Sequence, residues 1–154
     1  MKLTTTTRYG LKMFLAIGIF FMCVYLAGYT HISELRLLNI LIVLYFSNQL
    51  VKTNYIEKED CGYIENISSL FLANLINVLL CVIGFSIFIT AIDSSYLEVL
   101  QNGILWMQAE TLSQMMFVLL IEGLSSAVII SFGMMQYWKN YKRVHKKVYA
   151  SEVK

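Results

Sequence analysis

Four apolar stretches separated by short polar segments set the pattern of the chain. Membrane spans read as runs of about 17–25 apolar residues without charge. The first such run goes from Met13 to about Thr30, starting directly after Lys12. Tyr29 stands in Ala27-Gly28-Tyr29-Thr30-His31 where a cleavage site needs a small residue, so this run is expected to stay in the protein. The second run is shorter: 15 uncharged residues, Leu37 to Val51, lie between Arg36 and Lys52. That is about 22 Å of helix against a hydrocarbon core of about 30 Å. A helix over 33–52 repairs the deficit, with Arg36 and Lys52 snorkelling to opposite interfaces. The third run, Asn66 to Ile92, has 27 uncharged residues; the fourth, Thr111 to Trp138, has 28 residues and one charge, Glu122. The pattern predicts an all-α, single-domain, four-transmembrane-helix bundle with spans at about 13–30, 33–52, 66–92 and 111–138, and a basic tail over 139–154.

The segment Asp93 to Glu110 reads as a short interfacial helix between the third and fourth spans. Ser95 and Glu98 have capping-box spacing, and Gly103 is a helix stop. Thr111 and Gln114 repeat the capping spacing where the fourth helix begins.

Charge adds an orientation. Nine of the 12 basic residues lie in the two tails: Lys2, Arg8 and Lys12, then Lys139, Lys142, Arg143, Lys146, Lys147 and Lys154. Four spans place both tails on one side, and basic residues mark the cytoplasmic side. The segments 30–34 and 93–110 carry no Lys or Arg, while 52–65 is mixed. The reading is N-in, C-in. Tyr25 and Tyr29 are expected as interface aromatics at the outer end of the first helix, and Tyr137, Trp138 and Tyr141 at the inner end of the fourth. Lys139, Lys142, Arg143, Lys146 and Lys147 form a topology anchor that also suits anionic lipid headgroups.

Composition agrees. The chain is 58% hydrophobic and 14% charged, with mean hydropathy +0.64. A soluble domain is nearer 45–50% apolar and about 25% charged. An ordinary cytosolic enzyme, a disordered tail and a disulfide scaffold are excluded. The chain has no proline, which favours unbroken helices. A net charge of +2 gives no reason to expect a nucleic-acid partner. Cys23, Cys61 and Cys81 have no metal-ligand spacing, and His31 and His145 fall at opposite membrane faces. No phosphate loop or catalytic set is present, so no enzyme activity, cofactor or metal is expected. Asn66-Ile67-Ser68 matches a glycosylation acceptor on the cytoplasmic side, where it is a chance match.

Glu122 is the residue that needs explaining, near the middle of the fourth span. A charged carboxylate there costs about 2.5–3.5 kcal/mol on insertion scales. It is expected to face the bundle, to be paired, or to carry a proton. At helical spacing around it lie Thr111, Gln114, Val118, Ser125, Ser126, Ile129, Gly133 and Gln136, a polar stripe read as facing inward. Beside it Gly123, Ala127 and Ser131 repeat at four residues, a ridge that lets another helix approach closely. On the third helix Ser69, Ala73, Asn77, Cys81 and Gly84 form a matching surface, with Asn77 at a depth to bond Glu122 and Asn74 as an alternative. The second helix offers Asn39, Ser47, Asn48 and Gln49. Two readings of Glu122 stay open: a structural tie between helices, and a protonatable carboxylate in a transport pathway.

Tyr9-Gly10-Leu11, Glu34-Leu35-Arg36-Leu37-Leu38-Asn39 and Glu122-Gly123-Leu124-Ser125-Ser126, continuing to Ser131-Phe132 and Met135-Gln136-Tyr137, carry a resemblance. Over roughly Tyr9 to Lys139 the chain resembles a domain-of-unknown-function family of small four-helix membrane proteins found mainly in Bacteroidota. The central loop departs from that pattern: Glu57 to Asp60 is acidic where a basic stretch is expected, and Gly62 stands alone. The resemblance implies a multi-pass protein of the bacterial inner membrane and brings no catalytic residue with it. The expected function is a structural or accessory bundle component in the lipid bilayer, as a homo-oligomer through the Gly123/Ala127/Ser131 ridge or as part of a larger membrane complex. The alternative is a small proton- or cation-linked transporter using Glu122.

Overall fold

The structure, a computed structural model, describes residues 3–29, 35, 37–57, 62–94, 96 and 111–152. Among them are four long α-helices: α1 (Leu3–Leu26), α2 (Leu38–Glu57), α3 (Tyr63–Ala91) and α4 (Leu112–Glu152). The chain is all-α, and without proline none of the four is interrupted.

The boundaries differ from the expected ones for identifiable reasons. α1 starts ten residues before Met13, because Arg8 and Lys12 lie exposed on its surface and leave the helix intact. It ends at Leu26 rather than near Thr30. Gly28 has φ +76° there, and Tyr29 N–H donates to Val24 O at 3.2 Å, a helix stop in which only glycine takes the left-handed position without cost. α2 starts at Leu38, five residues after Ser33, and recovers its length at the other end by running on to Glu57. Its 20 residues are about 30 Å long, so Lys52 lies inside the helix rather than at its end. α4 continues through the basic tail to Glu152 as one 41-residue helix, about 62 Å long. The reciprocal cap at its start forms as expected. Thr111 N–H donates to Gln114 Oε1 (3.2 Å), and Gln114 N–H donates to Thr111 Oγ1 (3.4 Å). The interfacial helix expected between α3 and α4 lies largely outside the described residues, as do Ser95, Glu98 and Gly103.

Among the described residues, three helices are long and apolar enough to cross a membrane: Thr5–Leu26, Tyr63–Ala91 and Leu112–Lys139, with mean hydropathies of 1.9, 2.4 and 2.1. α2 is not among them, so the fourth expected span lacks this support. Its hydropathy is low because it carries Asn39, Ser47, Asn48, Gln49, Lys52, Thr53 and Asn54. Ser47 and Asn54 are buried, whereas Ile40, Leu41 and Tyr45 on the same helix are exposed. Ser47 and Asn54 turn inward, while Lys52 and part of the apolar surface of α2 turn outward.

α2 and α3 contact each other, and each also contacts both α1 and α4. One end of the bundle is closed by Leu50, Val51, Leu70, Ala73, Met135 and Trp138, with Tyr9 and Tyr55 packed against them. At the other end Phe21, Tyr25, Phe85, Phe88 and Tyr96 form an aromatic cluster, with ring centroids 5.0 Å apart for Phe21 and Phe88. Tyr25 OH donates to Asp93 Oδ2 at 2.9 Å and ties the end of α1 to the end of α3. Close approach along α3 depends on two glycines. A Cβ on Gly10 would lie 2.8 Å from Ala73 O, and a Cβ on Gly123 would lie 2.6 Å from Val78 Cγ1. Neither position has room for a larger residue without movement.

Candidate functional site

The polar side chains of the bundle divide into an inward set and an outward set. α2 organises the inward one, with a side-chain hydrogen bond to each of the other three helices. Tyr9 OH and Thr53 Oγ1 are 2.8 Å apart, joining α1 to α2. Asn54 Nδ2 donates to Asn66 Oδ1 at 3.1 Å, joining α2 to α3. Trp138 Nε1 donates to Asn48 Oδ1 at 2.9 Å, joining α4 to α2. In membranes such interhelical bonds average about 0.6 kcal/mol and reach about 1.7. Trp138 is therefore a core residue, stacked on Tyr55 with ring centroids 5.4 Å apart, and not the interface aromatic its position near Lys139 suggested. Tyr137 and Tyr29 are exposed at opposite ends of the bundle. Tyr141 has no described side chain.

About two turns along the helices from the Asn54–Asn66 bond, the inward set has groups without partners. Asn74 is 1% exposed, and neither its Oδ1 nor its Nδ2 has a hydrogen-bond partner among the described residues. Ser47 Oγ is buried and unpartnered in the same way. The register of α2 against α3 agrees with this pairing of depths. Counting seven residues back from Asn54 and seven forward from Asn66 puts Ser47 level with Ala73, next to Asn74. Ser131 returns its hydroxyl to Ala127 O at 2.7 Å. Asn77 is buried and accepts from Cys81 Sγ at 3.5 Å. The α3 surface expected from Ser69, Ala73, Asn77, Cys81 and Gly84 thus faces the bundle, with the first three buried.

The α4 stripe does not. Gln114, Val118, Glu122, Ser125, Ile129, Gly133 and Gln136 are exposed, and Ser126 is half-buried. The inward orientation expected for Glu122 is overturned, and with it the facing arrangement expected with Asn77. Helix geometry gives the reason. At about 100° per residue, Ala127 lies about 140° around the helix from Glu122, and Ser131 about 180°. Stripe and ridge occupy nearly opposite faces, so only one of them can meet α3. The ridge does so: Gly123 abuts Val78, and Ala127 and Ser131 are 2% and 1% exposed. Packing within one chain uses the ridge up, so its surface is closed to a second copy. Ser125 turns its hydroxyl back to Ile121 O at 2.8 Å, a common way to quiet a hydroxyl on an outer helix face.

Of the anchor residues, Lys139 is exposed. The side chains of Lys142, Arg143, Lys146 and Lys147 lie outside the described ones, though α4 runs through all four positions. Among the described residues no group of His, Cys, Asp and Glu could hold a metal ion, and Cys23 and Cys81 are free thiols. Sequence reasoning missed Gly10, whose close approach to Ala73 sets the α1–α3 contact, and Trp138 as a donor to α2. A glycine three residues before an apolar run is a weak signal. Trp beside a basic tail points to the interface more readily than to a partner 90 residues away. No protein-family model, curated protein or solved structure matches this chain.

Proposed function

We propose that the chain is a structural or accessory component of a bacterial inner membrane that assembles laterally with a second copy of itself through the outward face of α4. In this reading α2 crosses the bilayer with the other three helices, and both termini lie on the cytoplasmic side. The observation that carries it is the exposure of Glu122 in the middle of a 28-residue apolar span, on a face shared with Gln114, Ser125, Gly133 and Gln136. A carboxyl group exposed on the outer face of an apolar helix is costly against lipid tails and is better accommodated where another helix covers that face. A two-fold axis along the membrane normal brings such a face onto itself, the commonest symmetry of homo-oligomers. Glu122 and Ser125 then meet their counterparts. Gly133 adds room, because a Cβ there would meet nothing within 4 Å of the same chain.

The transporter reading uses the same carboxylate, and no second observation favours it. Association is tested by measuring the mass of the protein–detergent complex. The wild type is expected as a dimer, and Glu122→Leu as a monomer of unchanged helix content. Glu122→Gln, which keeps hydrogen bonding, remains dimeric. A monomeric wild type across a dilution series in lipid nanodiscs overturns the reading.

A further inference from the structure

α4 does not end where its apolar span ends. It continues past Lys139 to Glu152 as the same helix, about 20 Å further. The head-group layer adds about 5–8 Å to each side of the hydrocarbon core. Arg143, about 6 Å beyond Lys139, therefore falls at head-group depth, and Lys147 stands one turn further out.

The basic positions of this extension are not spread evenly round the helix. Gln136 is exposed on the same face as Glu122, Ile129 and Gly133. At about 100° per residue, Asn140, Arg143 and Lys147 lie within about 40° of Gln136. The steps from Gln136 run four, three, four, the spacing that keeps one helix facing another. Lys142 and Lys146 lie about 80–120° to one side of that line. The outward face of α4 thus leaves the membrane as a line that carries Arg143 and Lys147.

The next step rests on the dimer reading above. A two-fold axis along the membrane normal that brings Glu122 to its counterpart brings these two positions of both copies to the same axis. Packed helices lie about 8–10 Å apart, close to the screening length of about 8 Å at physiological salt. Four cationic residues then stand round one axis. From Trp138 to Ser151 the chain has no Asp or Glu to offset them.

We propose that the head group of a phospholipid carrying two phosphates seats between the two α4 extensions, opposite Arg143 and Lys147 of both copies, and so strengthens the dimer. Phosphate oxygens accept paired N–H donors from a guanidinium. With two phosphates on one short linker, the second contact is intramolecular once the first has formed. The bilayer holds such head groups at the depth of Arg143.

The test uses the full chain, as donor- and acceptor-labelled copies mixed in vesicles, with energy transfer reading dimer strength against dilution in lipid. The vesicles are phosphatidylcholine alone, or phosphatidylcholine with phosphatidylglycerol or cardiolipin at equal added charge. The wild-type dimer is expected to be about tenfold stronger with cardiolipin than in phosphatidylcholine alone, with a smaller gain from phosphatidylglycerol. Arg143→Gln with Lys147→Gln removes the repulsion and the site, so this variant is expected to dimerise equally in all three lipids and more strongly than the wild type in phosphatidylcholine. Lys142→Gln with Lys146→Gln removes the same charge beside the line and keeps the cardiolipin response. A wild-type dimer of equal strength in the three lipids, equal gains from the two anionic lipids, or the same loss of response in both double variants overturns this proposal and leaves the dimer reading standing. A wild type that is monomeric in every lipid overturns both.

Discussion

Gly123 of α4 lies directly against Val78 of α3, so close that a Cβ on the glycine would sit 2.6 Å from Val78 Cγ1 and 2.9 Å from Cγ2. The contact fixes which face of α4 meets the bundle, and so turns Glu122 outward. Gly123→Ala gains helix propensity of about 1 kcal/mol and meets overpacking of about 1–3 kcal/mol. The net expectation is a lower melting temperature in detergent. Combining it with Val78→Ala relieves the clash, and the double variant is expected to melt above Gly123→Ala alone. A Gly123→Ala protein as stable as the wild type would mean that the two helices are not in this contact.

The Trp138 Nε1 to Asn48 Oδ1 bond, 2.9 Å long, ties α4 to α2. Trp138→Phe keeps most of the aromatic surface and deletes the donor. It is expected to cost about 0.6–2 kcal/mol, including the acceptor left behind. In an Asn48→Leu background the same change is expected to cost less, because no acceptor remains to be orphaned. A double-mutant cycle read from denaturant unfolding measures the difference. Full additivity would show that the two side chains do not interact.

The sequence carried the architecture well. Apolar runs and charge sorting marked the three strongest helices, and the Thr111–Gln114 spacing marked the start of α4. Boundaries moved where local chemistry decided them: Gly28 at positive φ stopped α1 short, and α2 ran past Lys52 because a long cationic side chain does not end a helix. The site was less legible. A polar stripe centred on Glu122 and a small-residue ridge centred on Ala127 both qualify as buried faces of one helix. The preference for burying polar groups selected the stripe. The structure selected the ridge, because the space between α3 and α4 admits only small side chains there. Side-chain volume at a tight crossing outranked polarity, and volume matching depends on the partner helix, which one helix's periodicity does not contain.

Asn74 and Asn54 are both buried asparagines, and their variants are expected to behave oppositely. Asn54 donates to Asn66 at 3.1 Å, so Asn54→Leu leaves the Asn66 carboxamide with a lost partner and is expected to destabilise by about 1–3 kcal/mol. Asn74 has no partner on either amide atom among the described residues. Asn74→Leu removes an uncompensated polar group at similar volume, and is expected to raise stability by about 1 kcal/mol. Thermal melts of the two variants in one detergent make the comparison. A destabilised Asn74→Leu would show that the amide is satisfied in the membrane.

Topology separates four spans from three. With α2 in the membrane the chain crosses four times, and both ends share one side. With α2 lying at the surface, the three apolar helices put the ends on opposite sides. The inward polar residues of α2 argue for crossing: Ser47, Asn48, Thr53 and Asn54 depress its hydropathy, yet Asn48, Thr53 and Asn54 bond to neighbouring helices, and none of these is spent on lipid. An average over sequence counts such groups as if they met the bilayer, so it underrates a helix whose polar side is satisfied by its neighbours. A periplasm-active reporter inserted after Gly103 is therefore expected to work, and the same reporter after Gly62 or after Lys154 to stay silent. Activity after Lys154 would put the C-terminal tail outside, against the basic-residue rule, and leave α2 uncrossed.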